Sequence, residues 1–276
     1  MADSTTNVAA PRKKISGLLS AFSPNRVLSR TSMQIIIGIQ IVAFLIIWIT
    51  SPFKVLPRPG EVFTALGVLW NRDGLGQELL VSFGLNIKAL LISAGLSIGM
   101  AYLTVLPFFR PLVGAIGKGR FLSMAGFTLI FTLMVGGGPQ LKLALLVFAM
   151  TVFFVTSMAS VVSEIPKADF DYARTLRMSE WRVVWEVVIL GTADKAFEVM
   201  RQNAAIGWMM LTMVEGIYRG EGGVGAMLLN QQKYFRMDSV FAIQILLLVV
   251  GLCQDYIIGF IRKLVCPYSV LTLERK

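Results

Sequence analysis

The sequence predicts an all-α, polytopic membrane protein with six transmembrane helices. Three observations carry that expectation. Of 276 residues, 55% are hydrophobic and only 15% charged; the mean hydropathy is +0.71; and the apolar residues fall into segments of spanning length. A soluble domain carries about 25% charged residues, so the surplus apolar surface is expected to face lipid. Histidine is absent, which removes the imidazole base, the His-ligated zinc site and the Ser-His-Asp triad together. The two cysteines, Cys253 and Cys266, would lie ~20 Å apart on one helix, too far to bridge. No catalytic residue and no metal site is expected. The net charge of +10 is interleaved with apolar segments, as charge that borders membrane spans is. Membrane lipids are therefore expected as neighbours, and nucleic acid is not.

A hydrocarbon core of ~30 Å needs about 20 helical residues. Residues 33–50 carry no charge and form the first span; it starts too far from the N-terminus for a cleavable signal peptide. The second span is expected at 85–106. The third, 121–135, is short and stops at Gly136-Gly137-Gly138-Pro139. The fourth, fifth and sixth are expected at 141–162, 195–215 and 239–265. Within the second, Gly95 and Gly99 have the G-x-x-x-G spacing of close helix packing. The segments 1–32, 107–120, 164–194 and beyond 260 hold 16 Lys and Arg, against 6 in 51–78, 136–140 and 217–238. Basic residues favour the cytoplasmic side. The layout is thus a cytoplasmic N-terminal segment 1–32, a six-span domain 33–265 with a cytoplasmic loop 164–194, and a cytoplasmic tail 266–276.

Two places carry chemistry. The loop 164–194 is amphipathic and polar beside everything around it; Pro166 ends the fourth span, and Asp169 or Asp171 can cap a short helix. That helix either projects with Tyr172, Leu176 and Arg177 toward a partner or lies on the membrane surface. In the fifth span only 13 uncharged residues separate Arg201 from Glu215, ~20 Å of helix. Glu198, Arg201 or Glu215 must therefore sit at membrane depth, where charges face a bundle interior or a watery cavity. Glu198 and Arg201, three apart, can pair or line a path; Gln202, Asn203 and Trp208 continue the same helix. The run Gly220-Glu221-Gly222-Gly223-Val224-Gly225 matches G-x-G-x-x-G in form, but it follows no strand and reads as a turn. Gly114–Gly119 (GAIGKG) has the wrong spacing for a phosphate-binding P-loop, so any ATP must be bound by another chain.

The run from Asp171 to Trp181 (DYARTLRMSEW) resembles the EAA loop of binding-protein-dependent ABC importer permeases, which reads E-A-A-x-x-x-G with later apolar and Leu-Pro positions. Asp171 stands for the Glu, Ala173 matches the second Ala, and Val187 and Ile189 match the apolar positions. Arg177 replaces the Gly and Leu190 the Pro. Leu56-Pro57-Arg58-Pro59 with Val62, Gly136, Gly138 and Lys142, Gly223-Val224-Gly225, and Asp238 through Asp255 are similar to the nitrate, sulfonate and taurine branch. That branch places prolines in the third span, and 121–133 has none. The resemblance implies a type I ABC importer permease fold in the cell inner membrane, with both termini cytoplasmic. It implies that Asp171, Tyr172, Ala173, Arg174, Thr175, Leu176 and Arg177 form a coupling helix seated on an ATP-binding subunit, which carries ATP and Mg while this chain binds no cofactor. It also implies a solute-binding protein and a second permease subunit, in a homo- or heterodimer. Glu198, Arg201, Gln202, Asn203, Trp208 and Glu215 then become the translocation-path candidates for a small solute. The alternative is a noncatalytic scaffold or regulatory membrane subunit of a permease-like complex.

Overall fold

The computed structural model describes residues 29–53 and 55–267. The expected cytoplasmic segment up to residue 28 and the expected tail from residue 268 lie outside them. The described residues form helices and no strand, in two compact units, 1–59 and 60–276.

The first unit holds α1 (Arg30–Thr50), opened by the Ser29 hydroxyl, which accepts the Ser32 N–H at 3.2 Å. An N-cap of this kind satisfies one of the four free amides of a helix start. After the helix, Trp48 Nε1 donates to the Pro57 carbonyl at 3.0 Å and closes the turn.

The second unit runs through α2 (Pro59–Asn71), α3 (Leu75–Leu103), α4 (Arg110–Lys118), α5 (Met124–Val135), α6 (Pro139–Ser163), α7 (Lys167–Thr175), α8 (Glu180–Val183), α9 (Gly191–Ile217), α10 (Val224–Lys233) and α11 (Met237–Val265). Pro139 stands at the start of α6, where its missing N–H costs nothing. Gly136 and Gly138 before it take φ of 85° and 93°, angles open to glycine and costly to other residues. The core lies where α3, α6 and α9 meet: Ala94, Ala101, Phe154, Met158, Ala196 and Val199 pack together. Small side chains on α3 let α6 approach, and the Ser97 hydroxyl donates to the Thr151 carbonyl at 3.3 Å. Gly95 and Gly99 do not make this contact. A Cβ at either would meet nothing within 4 Å, so the close packing expected of them falls to Ala and Ser on the neighbouring face.

Among the described residues, four helices are long and apolar enough to cross a membrane: α1, α3, α6 and α11. The chain is a multi-pass membrane protein. The two remaining spans depart from regular crossings. The third resolves as α5, 12 residues long, and forms a bent pair at 118° with the preceding segment 107–121. At ~18 Å it is too short to cross alone; its Met124, Phe127 and Phe131 pack on Leu141 and Leu145 of α6. The fifth resolves as α9, whose 27 residues give ~40 Å, ample for a crossing but rich in polar side chains. It packs against α3, α6, α10 and α11.

Cysteines placed singly at Asn71, Ser179 and Gln232, in a chain lacking Cys253 and Cys266, report the orientation. All three positions are exposed. A membrane-impermeant maleimide is expected to label Asn71→Cys and Gln232→Cys in intact cells and to spare Ser179→Cys. External labelling at Ser179→Cys contradicts a cytoplasmic loop 164–194.

Candidate functional site

The polar segment 164–194 begins with α7. Its C-terminus closes as a Schellman turn: Met178 N–H donates to the Ala173 carbonyl and Arg177 N–H to the Arg174 carbonyl. Arg177 occupies the left-handed position of that turn at φ 56°, the position glycine fills without strain and other residues fill at a cost of ~1 kcal/mol or more. The glycine of the resembled loop thus has a geometric reason, and the turn forms here with Arg177 in its place. Arg174 grips Glu180 with two hydrogen bonds, 3.1 and 3.3 Å, and tethers α7 to α8. The bond from Arg174 holds the Glu180 carboxyl below its ordinary range and raises the guanidinium. Ala173 is 4% exposed and anchors the helix inward, whereas Tyr172, Leu176, Trp181 and Trp185 are exposed. Of the seven residues expected to meet a partner, Ala173 therefore packs within the chain.

From Glu180 to Ile217 the backbone is helical without a break: α8, a π-helical turn over Val184–Leu190, then α9. Gly191 N–H donates to the Glu186 carbonyl across the π turn. Leu190 keeps a backbone N–H where proline would have none, and the helix runs through it.

That run carries a charged seam into the membrane. Arg262 of α11 forks onto Asp194 at 2.6 and 3.1 Å and also binds Glu198. Arg201 binds Glu198 at 3.1 Å and Asp255 of α11 at 3.2 Å. The chain Asp194–Arg262–Glu198–Arg201–Asp255 locks α9 to α11 with three acids and two bases. Arg201 is 37% exposed and Asp255 50%, and Gln202 is exposed beside them. Asp255 lies ten residues before the end of α11, ~15 Å along the helix. Charges that far inside an apolar helix face another protein surface or a watery path in preference to lipid.

One turn further along, the seam becomes an amide cluster. Trp208 Nε1 donates to Gln254 Oε1 at 2.8 Å, and Asn86 Nδ2 donates to the same oxygen at 3.3 Å. Asn203 Nδ2 returns to the Val199 carbonyl at 2.9 Å. Asn86 Oδ1, Asn203 Oδ1 and Gln254 Nε2 are buried with no protein partner. Two acceptors and one donor thus retain hydrogen-bonding capacity in a dry interior, where polar groups seek partners. Gly207 makes room, since a Cβ there would come within 2.8 Å of Asn86 Oδ1.

Glu215 stands apart, 17 residues beyond Glu198 on α9 and ~25 Å away. It is 1% exposed. Its carboxylate accepts from the Ser82 hydroxyl at 2.6 Å and the Gly225 N–H at 2.8 Å. Ser82 accepts the Val224 N–H, Glu78 accepts the Gly223 N–H, and Lys142 donates to the Gly222 carbonyl at 2.8 Å. The glycine-rich turn is thus the start of α10, its free amides taken up by three side chains of α3 and α9. Gly222 and Gly223 have φ of 67° and 104°. No carboxylate oxygen of Glu215 is left over for a path.

The structure therefore pairs Glu198 with Arg201, leaves Gln202 exposed, buries Asn203 against the Val199 carbonyl and Trp208 against Gln254, and places Glu215 at the other end of α9. Sequence reasoning missed Asn86, Gln254, Asp194 and Arg262. An amide side chain set within an apolar helix, Asn86 in α3 and Gln254 in α11, was the available signal for the first pair.

No protein-family model matches the sequence, and no curated protein matches it. Among solved structures, the chain is similar to the MetNI methionine ABC transporter in inward-facing conformations, at 15% identity and a TM-score of 0.47, over 72% of this chain and 96% of that one.

Two substitutions test these local readings. Glu215→Ala orphans the Ser82 hydroxyl and the Gly225 N–H, at about 1–3 kcal/mol for each buried group, and is expected to lower the Tm of the detergent-solubilised chain; Glu215→Gln keeps one acceptor and loses less. Arg177→Gly is expected to leave protease resistance of the 164–194 loop intact. Arg177→Val, a β-branched residue forced left-handed at ~1–2 kcal/mol, is expected to increase its cleavage.

Proposed function

We propose that this chain is the permease subunit of an ATP-driven ABC importer, half of a dimeric pathway for a small polar solute, coupled through α7 and α8 to a separate ATP-binding subunit. The observation that carries the reading is the unbroken helical run from the exposed cytoplasmic segment to the charged seam. A push on Trp181 reaches Glu198 and Arg201 along that helical backbone, and one on Tyr172 or Leu176 reaches it through the turn after α7 and the Arg174–Glu180 tether. ATP and Mg belong to the partner subunit in this reading. An external solute-binding protein delivers the solute, and the membrane is the cell inner membrane.

The half-exposed Arg201, Gln202 and Asp255 support a second permease subunit, since that strip requires protein or water against it at membrane depth. Arg201 is already shared between Glu198 and Asp255, so the seam offers no unpaired cation to an anion. The amides of Asn86, Asn203 and Gln254 are better suited to a neutral or zwitterionic polar solute than to nitrate or a sulfonate. Arg177 and Leu190, which replace the Gly and Pro of the resembled loop, are what favours the scaffold alternative; against it, the Schellman turn forms with Arg177 and the helix continues through Leu190.

Leu176→Asp tests the coupling. The residue is exposed, so the charge is carried without harm in the isolated chain, but in a packed interface it costs ~2–5 kcal/mol. Expected are normal membrane insertion, loss of the copurifying ATP-binding subunit and loss of ATP-driven uptake. Unchanged uptake and unchanged recovery of the partner reject this reading.

A further inference from the structure

The GAIGKG run lacks P-loop spacing, yet the fold puts it at the wall of a cavity of about 970 Å³, within the range of small-ligand sites. The cavity lies between α4, the last turns of α6 and the α7–α8 segment. Its glycines have a steric purpose. A Cβ at Gly117 would come within 2.9 Å of Thr156 Oγ1, and one at Gly119 within 3.4 Å of Val152. Without side chains there, α4 lies directly on α6, and Lys118 between them is brought to the cavity wall.

The electrostatics of that wall are one-sided. Arg110, Lys118, Arg120 and Lys167 line it, and none of the four is among the ion pairs of the described residues. Glu180 is the lining carboxylate, and it is consumed by Arg174, also in the wall. Arg110 is oriented by its Nε, which donates to the Thr104 carbonyl at 2.9 Å and leaves its terminal nitrogens available. Arg120 is held over the Phe121 ring at 5.1 Å. The carbonyl ends of α4 and α6 border the cavity and count about half a charge each against an anion; four cations exceed them. Ser160 and Ser163 add hydroxyls on α6.

The surroundings are those of a membrane interface. Phe108, Leu112, Phe121 and Leu122 are exposed on and around α4, the apolar side of a short amphipathic helix whose other side carries the cations. Basic pockets between spans on the cytoplasmic side are suited to anionic headgroups.

We infer that this cavity binds a phosphate ester, supplied either by the headgroup of an anionic phospholipid or by a soluble phosphate ester. Because Lys118 and Arg120 come from the α4 side while Lys167 comes from α7, one bound phosphate draws the cytoplasmic segment onto α4 and α6. The inference does not depend on the transport reading.

Native mass spectrometry of the full-length chain in detergent tests it, with phosphatidylglycerol, phosphatidylcholine and glycerol 3-phosphate as probes. The wild-type chain is expected to retain phosphatidylglycerol ~10-fold better than phosphatidylcholine, and Lys118→Gln/Lys167→Gln to lose ~10-fold in that retention. Lys118→Arg/Lys167→Arg, which keeps both charges, and Lys233→Gln, outside the cavity, are expected to bind as the wild type does. Displacement of the lipid by glycerol 3-phosphate assigns the site to a soluble ester; failure to displace assigns it to the lipid. Equal retention of both lipids by the wild type without binding of glycerol 3-phosphate, absence of both anionic probes, or full retention by the glutamine pair overturns the inference.

Discussion

The constraint on which the rest depends is the polarity of α9. A helix carrying Asp194, Glu198, Arg201, Gln202, Asn203 and Glu215 cannot stand in lipid, where each unpaired charge or amide costs several kcal/mol. The other elements supply what it lacks. Toward its N-terminal end α11 offers Arg262 and Asp255; near its middle α3 and α11 bring Asn86 and Gln254 beside Trp208; at its C-terminal end Ser82 of α3 and the start of α10 take up Glu215. The neighbours of α9 are thus chosen by hydrogen bonding as much as by apolar packing. Breaking one partner leaves a buried group uncompensated, which is why such networks cost more to damage than they contribute in net stability.

Where the network is complete, the helix is fixed; where it is incomplete, the helix is available. Glu215 has both oxygens engaged and serves the fold. The seam at Arg201 and Asp255 is half-exposed, and the amides at Asn86, Asn203 and Gln254 keep unpartnered atoms. Those two places lie within about two turns of each other along α9, on the stretch joined by continuous helix to α8. Position and unspent hydrogen-bonding capacity coincide there.

Much of the fold was legible because lipid-facing helices announce themselves by composition: α1, α3, α6 and α11 fall where apolar segments of spanning length predicted helices. α5 was legible only as short. Its bend is set by the turn after α4, which no periodicity encodes. The boundaries of α3 were harder, since its first ten residues continue the helix with Glu78 and Ser82, polar side chains whose partners lie more than a hundred residues away. At the candidate site, the pairing of Glu198 with Arg201 followed from a spacing of three, but Arg262 and Asp194 could not, because ion pairs between helices have no signature in a single sequence. The Gly position of the resembled loop carried real geometric content: Arg177 sits at the positive φ that glycine would occupy. Leu190 works the other way, since the proline it replaces would have removed a donor from a helix that here runs on.

The central claim is that α8, the π turn and α9 move as one rigid piece between the α7–α8 segment and the seam. Spin labels at Trp181 and Met209, both exposed, flank the π turn along that helix. Their distance distribution can be measured by pulsed electron resonance in the complex purified from its native membrane, without nucleotide and with ATP trapped. The account predicts one narrow distribution that is the same in both states. A distribution that shifts or splits when ATP is trapped would place a hinge at Val184–Leu190 and contradict transmission through a continuous helix.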